Sequence, residues 1–273
     1  MEFLLESRRL KSWGIMTLEC RFGVERMPNL LYEAPELAEI YDLFNTWGAD
    51  NDFYMGLLSE TASRVLDLGC GTGMLAAAMS GLAEVTGLEP AAAMLEIARR
   101  RPGGESVRGL RGDARDFELD GRFDLIYCAG HAFQCFLTEQ DRRAVFRMVR
   151  VHLAERGRFV FETRNPAARS WLRYDSQPPR RVRHPRLGEV ALSHRLLSET
   201  DGLVAYRSRY HFVDQDQARE VDAALRFCDL PTLRAELEAE GLRIAALQGD
   251  WQGGPLWEDC AEIILTLARA DAA

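Results

Sequence analysis

The sequence predicts an α/β fold in which helices cover both faces of a mostly parallel sheet. Short apolar runs at 65–68 and 123–128 are typical of buried parallel strands. Gly69, Gly71 and Gly73 follow the first run, and a segment rich in Ala, Leu and Met begins directly after them. A strand, a glycine turn and a helix in this order bring a ligand against bare backbone, because glycine has no Cβ. The sequence therefore predicts a ligand site at this turn.

The length, composition and net charge of the chain exclude several classes of protein. The 273 residues are 47% hydrophobic and 28% charged, which suits one large domain or a domain with an insertion. The net charge of −8 does not suggest a general affinity for nucleic acid, and no apolar run is long enough for a membrane span. The cysteines and histidines show no metal-ligand spacing, so no metal site is predicted. Cys70 and Cys128 fall at predicted ligand-binding turns, which suggests reduced thiols and a cytoplasmic location.

The first half of the chain is predicted to alternate strands and helices after an N-terminal extension. Residues 1–26 have mixed charges and are predicted to be an extension of unclear order. Four apolar side chains share one helical face in the segment 35–44. Pro90 suits the first turn of a later helix, and Pro102 ends it. This half is predicted to contain helices at 35–44, 75–79 and 91–101 and strands at 65–68, 84–88, 106–110 and 123–128.

The pattern of the second half changes after a fifth strand at 157–163. A capping box from Thr138 to Asp141 predicts that the preceding helix begins near Glu139. From 166 to 228 the residues alternate, and Asp201-Gly202 is a hairpin turn signal, so this range is predicted to be an antiparallel β insertion. A helix at 233–240 and strands at 242–247 and 261–268 complete the prediction. The core domain is then formed by 27–165 and 229–273.

Two carboxylates stand beside the predicted ligand site. Asp67 precedes Gly69 by two residues, and Met74 occupies the place of the third glycine in the dinucleotide fingerprint. A carboxylate beside the turn suits a cation better than a pyrophosphate. Glu89 is placed at the carboxyl end of the second strand, where a carboxylate can accept hydrogen bonds from ribose hydroxyls.

These motifs and the order of elements resemble class I S-adenosylmethionine-dependent methyltransferases, of the small-molecule type with a β insertion after the fifth strand. The resemblance implies a Rossmann-like seven-stranded sheet whose last strand is antiparallel and lies between the fifth and sixth strands. It implies S-adenosyl-L-methionine as cofactor and S-adenosyl-L-homocysteine as product. No Asn-Pro-Pro-Tyr or Asp-Pro-Pro-Tyr motif follows the fourth strand, which favours a small-molecule acceptor over nucleic acid. We expect a monomer or a homodimer.

The resemblance also implies a set of cofactor-binding residues. Asp67 would hold the amino-acid end of the cofactor, and Asp113 would meet the adenine amine. Tyr41 would approach the methionine part from a lid helix, although it is equally well interpreted as an ordinary packing aromatic. The full predicted set is Tyr41, Asp67, Gly69, Cys70, Gly71, Thr72, Gly73, Leu75, Glu89, Pro90, Met94, Gly112, Asp113, Ala114, Cys128, Ala129 and Gly130.

The expected reaction is an in-line displacement at the sulfonium methyl, so the protein has to supply positioning and a dry site. His131 and Glu162 are the candidate catalytic residues. His131 would act as a base or orient the acceptor, or it is a neutral histidine that shapes the pocket. Arg164 is interpreted as a partner of Glu162 at the strand end. The predicted substrate-binding residues are His131, Phe133, Gln134, Arg164, Tyr206, Tyr210 and Trp251.

Alternatives remain open at this point. The basic run at 180–186 would meet an acidic substrate or, more simply, form a solvated basic loop. A protein that binds S-adenosylmethionine without catalysis is the main alternative function. Asp67 and Met74 argue against a third possibility, an NAD(P)-dependent oxidoreductase.

Overall fold

The structure is a computed structural model in which residues 30–58 and 63–272 are described. Its strands fall into one seven-stranded sheet and one four-stranded sheet. In chain order they are β1 (Arg64–Leu68), β2 (Glu84–Glu89), β3 (Arg108–Arg111), β4 (Phe123–Cys128), β5 (Leu153–Arg164), β6 (Arg180–His184), β7 (Gly188–Thr200), β8 (Leu203–Phe212), β9 (Gln217–Arg226), β10 (Leu242–Gln248) and β11 (Glu262–Arg269).

The seven-stranded sheet has the order β10-β11-β5-β4-β1-β2-β3. Strand β11 is antiparallel to both of its neighbours, β5 and β10, whereas the other neighbours run parallel. The predicted fold is therefore confirmed, including the antiparallel last strand between the fifth and sixth strands of the core. The carboxyl ends of β1, β2 and β4 meet at one edge of this sheet, which is where ligands bind in α/β folds.

Helices cover both faces of the sheet. They are α1 (Leu30–Glu33), α2 (Pro35–Phe44), α3 (Ala49–Met55), α4 (Met74–Met79), α5 (Ala92–Arg100), α6 (Glu139–His152) and α7 (Leu230–Ala239). Leu66 and Ile126 belong to the apolar cluster beneath α6 and α7. Val65 and Tyr127, one position away along the same strands, belong to the cluster beneath α3 and α4. None of the helices in the described ranges is long and apolar enough to cross a membrane.

The four-stranded antiparallel sheet, β6-β7-β8-β9, lies between β5 and α7 in the chain, within the range predicted for the insertion. Asp201 and Gly202 form the turn between β7 and β8, with φ values of 51° and 77°. A Cβ at position 202 would lie 2.4 Å from the carbonyl oxygen of Phe227, so this turn requires glycine.

Two elements, β6 and β5, differ clearly from the prediction. Residues 180–184 form strand β6, where a solvated loop was expected, because they pair with Gly188–Leu192 of β7. Strand β5 begins at Leu153, which is the extended residue that caps α6 and pairs with Phe123. The predicted extension, 1–26, lies outside the described residues.

Helix α2 connects the two sheets. Leu37, Ile40 and Phe44 pack on the insertion sheet, against Val190 and Tyr210 among others. Ala38, on another side of the helix, packs on α5. A lid helix near the sheet edge is thus fixed to both parts of the fold.

Removing the side chain of Ile40 should destabilise the protein strongly. Ile40 is 0% exposed, so Ile40→Ala leaves a cavity and should lower the free energy of unfolding by about 2–5 kcal/mol. Leu82→Ala, at a site that is 71% exposed, is the control and should change it by less than about 0.5 kcal/mol. Urea unfolding measures both, and equal effects would contradict the packing described for α2.

Candidate functional site

The glycine turn presents open backbone at the sheet edge. Gly69, Gly71 and Gly73 all have positive φ, but their surroundings differ. A Cβ on Gly73 would lie 2.8 Å from the Cβ of Ala98, so this glycine allows α4 and α5 to pack closely. A Cβ on Gly71, or on Gly130 after β4, would meet nothing within 4 Å. These two glycines therefore border the space that a ligand can occupy.

Asp67 lies beneath this space as a buried carboxylate. It is 3% exposed, and its Oδ2 atom accepts a hydrogen bond from the hydroxyl of Tyr127 at 2.9 Å. Burial raises the pKa of Asp67 to about 8, and the neighbouring carboxylates of Glu89 and Glu162 contribute in the same direction. A buried carboxylate with no cation beside it is costly, so the site favours a positively charged ligand group.

Glu89 holds the glycine turn in place. Its two carboxylate oxygens accept hydrogen bonds from the backbone N–H groups of Gly71 and Ala91, at 3.0 and 2.9 Å. Burial raises the pKa of Glu89, while the two backbone donors lower it. Each oxygen still has acceptor capacity for a ligand hydroxyl, because a carboxylate has about four acceptor sites.

The lid helix α2 is tied to the turn by Asp42. This side chain accepts a hydrogen bond from the hydroxyl of Thr72 at 2.6 Å and forms an ion pair with Arg101. Arg101 also donates to the carbonyl oxygen of Thr72 at 2.9 Å. Tyr41, next to Asp42, lies close enough to Glu89 for that carboxylate to raise the pKa of the phenol further, after burial as the main cause.

Glu162 is a second buried carboxylate, on β5. It is 0% exposed and accepts hydrogen bonds from the hydroxyl of Tyr54 and, at 2.6 Å, from the backbone N–H of His131. Burial raises its pKa. The side chain is fully buried, and its two hydrogen bonds connect α3 and the loop after β4 to β5.

His131 forms a dyad with Glu262. Its Nε2 atom lies 2.9 Å from the Oε2 atom of Glu262, the first residue of β11. The residue has a left-handed backbone, with φ of 59°, which directs the ring toward β11. A histidine whose ring is oriented by a carboxylate has the arrangement of a positioned acid–base group.

The predicted pairing of Arg164 with Glu162 is wrong. Arg164 donates to Oε1 of Gln134 at 2.8 Å, whereas Glu162 accepts from Tyr54 and His131. Gln134 in turn donates to the carbonyl oxygen of Arg226 at 3.2 Å. Gln134 and Arg164 thus connect the β4 loop, β5 and the insertion.

Two other predicted substrate contacts, Phe133 and Trp251, pack against aromatic neighbours. Phe133 is 1% exposed, and its ring centroid lies 4.1 Å from that of Phe161 in the core beneath α6. The structure therefore corrects this prediction, since Phe133 has no face left for a substrate. Trp251 packs on Phe53 and Tyr54 of α3.

The predicted adenine contact, Asp113, is engaged by a neighbouring side chain. Arg115 pairs with both of its carboxylate oxygens, at 2.9 and 2.6 Å, and also with Asp141. The side chains of Cys128, Met94 and Leu75 are buried in the core, so they shape the site from below. Over the described part of the chain, no group of three or more His, Cys, Asp or Glu side chains is arranged to hold a metal ion.

Tyr206 and Tyr210 lie on the inner face of the insertion sheet, as do the alternate residues of β8, and each is less than 10% exposed. Tyr32 and Tyr41 face them from α1 and α2, and Cys135 lies beside both groups. The region between these elements is called the acceptor chamber below. Prediction from sequence missed Tyr54, Tyr127, Glu262 and His194 in this region. The sequence did contain a signal for Tyr127, because aligning the carboxyl ends of β1 and β4 places Tyr127 beside Asp67.

Removing the hydrogen bond from Tyr127 to Asp67 tests whether Asp67 faces a bound ligand. The Tyr127 hydroxyl lowers the pKa of Asp67, so Tyr127→Phe should raise that pKa further and weaken the binding of a cationic ligand. Loss of one hydrogen bond to a charged group corresponds to about 1.5–3 kcal/mol, or roughly ten- to 150-fold in affinity. Calorimetric titration with S-adenosylmethionine measures it, and an unchanged affinity would show that Asp67 does not face the ligand.

Comparison with known proteins agrees with this geometry. Residues 65–157 match the family described as "Methyltransferase domain". The chain is 36% identical over 138 residues to a dTDP-4-amino-2,3,4,6-tetradeoxy-D-glucose N,N-dimethyltransferase of Saccharopolyspora spinosa, covering 47% of this chain and 55% of the relative. It is 32% identical over 137 residues to a dTDP-3-amino-3,6-dideoxy-alpha-D-glucopyranose N,N-dimethyltransferase of Streptomyces fradiae, covering 46% and 52%. These matches thus span about half the length of each curated relative.

A solved structure supports the fold over a longer range. The CcbJ methyltransferase from Streptomyces caelestis superposes with a TM-score of 0.70 at 19% identity, covering 85% of this chain and 97% of that one. The family match and the fold together confirm the predicted resemblance to class I S-adenosylmethionine-dependent methyltransferases.

Proposed function

We propose that the protein transfers a methyl group from S-adenosyl-L-methionine to an amine nitrogen of a small molecule. The observation that carries the proposal is the placement of Asp67 and Glu89 at the carboxyl ends of adjacent strands, on either side of an open glycine turn. The two relatives are named for N,N-dimethylation of amino sugars, which supports nitrogen as the acceptor atom.

The site residues fit this cofactor. When bound, S-adenosylmethionine supplies a methyl group already activated by a positive sulfur. Asp67 accepts hydrogen bonds from the cationic amino group at the methionine end, which gives the buried carboxylate its missing counter-charge. Glu89 accepts from the ribose hydroxyls with its remaining lone pairs. Gly71 and Gly130 allow the cofactor to approach the backbone.

His131 works on the acceptor side. Glu262 holds its ring, and Glu162 holds its backbone N–H, so the imidazole stays fixed at the carboxyl end of β4. We assign it the task of orienting the acceptor nitrogen. Glu162 is a positioning residue, because it acts through His131 and is fully buried.

The acceptor enters the chamber under the insertion sheet, where Tyr206 and Tyr210 provide apolar walls. The net charge of −8 supports a small-molecule acceptor and no nucleic-acid partner. We also propose that the protein works in the cytoplasm, as a monomer or homodimer, without a membrane partner.

Methyl transfer to a panel of primary amines tests the proposal. The panel contains the dTDP-linked amino sugar for which the first relative is named, other amino sugars and aromatic amines. Formation of S-adenosylhomocysteine together with a product heavier by one methylene unit is the expected result. Cofactor binding with no turnover of any amine would favour the alternative of a non-catalytic binding protein.

A further inference from the structure

The inner face of the insertion sheet, which is turned toward the core, contains one polar cross-strand pair among apolar neighbours. His194 on β7 stands opposite Ser208 on β8. Ser208 is 1% exposed, and its Oγ atom lies 3.0 Å from Nδ1 of His194. The pairs on either side along the same face are apolar or aromatic, with Leu192 opposite Tyr210 and Leu196 opposite Tyr206.

A β-bulge places His194 on this face. Near the turn, Thr200 pairs with Leu203 and Ser198 with Ala205, but the register shifts between Ser198 and Leu196. Without the shift, His194 would stand opposite Arg209, whose side chain is exposed on the outer face. The extra residue therefore turns the imidazole from solvent toward the chamber, and bulges often redirect side chains in this way next to active sites.

The second ring nitrogen of His194 is available to a ligand. Nδ1 is occupied by Ser208, and Nε2 has no hydrogen-bond partner within residues 30–58 and 63–272. The ring lies against Tyr174 and Tyr206, with centroid distances of 5.9 and 5.8 Å, and these two tyrosines lie 5.4 Å from each other. A free nitrogen beside aromatic rings suits the N–H group of a bound molecule.

The charges that face His194 keep the ring neutral. Burial lowers its pKa, and the guanidinium groups of Arg180 on β6 and Arg164 on β5 lower it further. The thiol and the phenols around it are uncharged, because burial raises the pKa of Cys135 and of these tyrosines. These phenols belong to Tyr174, Tyr206 and Tyr210. The carboxylate of Asp175 accepts a hydrogen bond at 3.1 Å from the backbone N–H of Leu196, two positions from His194 along β7.

We propose that His194 is an acceptor-binding residue, whose Nε2 atom accepts a hydrogen bond from the N–H of an uncharged amine and then receives the proton that methylation releases. This inference rests on the proposed function. In the balanced step, the amine lone pair forms the bond to the methyl carbon, and the electron pair of the broken carbon–sulfur bond stays on sulfur. The proton on the newly methylated nitrogen moves to Nε2 and from there to solvent.

The same electrostatics select the reactive form of the acceptor. Arg164 and Arg180 make the chamber unfavourable for a second cation, so an ammonium is disfavoured and the free amine is taken. Only the free amine has the lone pair that methyl transfer needs. His131, held by Glu262 at the end of β4, keeps its separate task of orientation.

The test compares His194→Gln with a matched control, His211→Gln. His211 lies on β8 within three residues of Ser208, but its side chain is on the outer face and 37% exposed. The probe is the panel amine with the highest wild-type rate, and kcat/KM is measured as a function of pH alongside S-adenosylmethionine affinity. We expect His194→Gln to lower kcat/KM by on the order of 100-fold. Below the His194 pKa it should also reduce the slope of log kcat/KM against pH by about one, while the limb that comes from protonation of the amine itself remains. Cofactor affinity and the control variant should both stay within about twofold of wild type.

A second measurement does not depend on turnover. Nuclear magnetic resonance titration of the His194 ring in the S-adenosylhomocysteine complex should give a pKa below the ordinary histidine value. Arg164→Gln should raise that pKa, while Arg164→Lys, which keeps the charge, should not. A ring that titrates at its ordinary pKa or above overturns the inference, as does an unchanged pH profile in His194→Gln. Failure of the wild-type protein to bind S-adenosylmethionine would instead contradict the proposed function.

Discussion

Replacing Asp67 with asparagine is expected to weaken S-adenosylmethionine binding strongly while stabilising the ligand-free protein at alkaline pH. Asparagine retains an oxygen that can accept from the Tyr127 hydroxyl, but it offers no negative charge to a cationic group. Loss of a buried charge partner costs about 2–5 kcal/mol of binding energy, or roughly 30- to 5,000-fold in affinity. Calorimetry with both the wild-type protein and the variant measures this difference.

The stability effect follows from the raised pKa of Asp67. The folded protein holds the Asp67 proton up to about pH 8, whereas the unfolded chain releases it near the ordinary value. Between these two pH values the unfolded state therefore binds fewer protons than the folded state. The stability that protonated Asp67 contributes to the folded protein is lost as pH rises through the folded pKa. Asp67→Asn removes the effect, so thermal unfolding at alkaline pH should show a higher melting temperature than wild type, with little difference at acid pH.

Cofactor affinity is expected to rise with pH, whereas the contribution of Asp67 to stability falls with pH. Only ionised Asp67 supplies the counter-charge, so affinity should increase with pH up to about 8 and then level off. One proton released on binding corresponds to at most about tenfold in affinity per pH unit below that pKa. Affinity that is constant across this range in wild type would contradict the role of Asp67.

The second large effect is expected at Tyr206. Tyr206→Ala removes an aromatic wall from the inner face of the insertion and should lower methyl transfer by about tenfold or more, while cofactor affinity stays within about threefold. The matched control is Arg207→Ala on the same strand, since Arg207 pairs with Asp222 on the outer face and its side chain is 33% exposed. Paired measurement of cofactor affinity and acceptor turnover decides the point. If Tyr206→Ala abolishes cofactor binding but spares acceptor selectivity, the insertion supports the cofactor site, and the proposal that the acceptor binds under the insertion sheet is wrong.

The sheet and its order could be predicted because the signals there are local. The apolar runs of β1 and β4, the glycine turn and the cap at Thr138 each specify a structure within a few residues. The Asp201-Gly202 turn likewise predicted the hairpin of β7 and β8.

The contacts of the site depended on information that the sequence does not show locally. Glu262 lies 131 residues after His131 in the chain and meets it only because β11 inserts beside β5. Arg164 contacts Gln134 in the loop after β4, and Glu162 instead accepts from Tyr54, which lies on a separate helix. His194 reaches the inner face through a bulge, and alternation counted from the turn places it on the wrong side.

The most direct test titrates the wild-type protein with S-adenosylmethionine and, in parallel, with NAD⁺. The carboxylate of Asp67, the open backbone at Gly71 and Gly130, and the missing third glycine together favour the first ligand. We expect one S-adenosylmethionine to bind per chain by calorimetry, and no heat of binding from NAD⁺. Binding of NAD⁺ without binding of S-adenosylmethionine would contradict the assignment of this site.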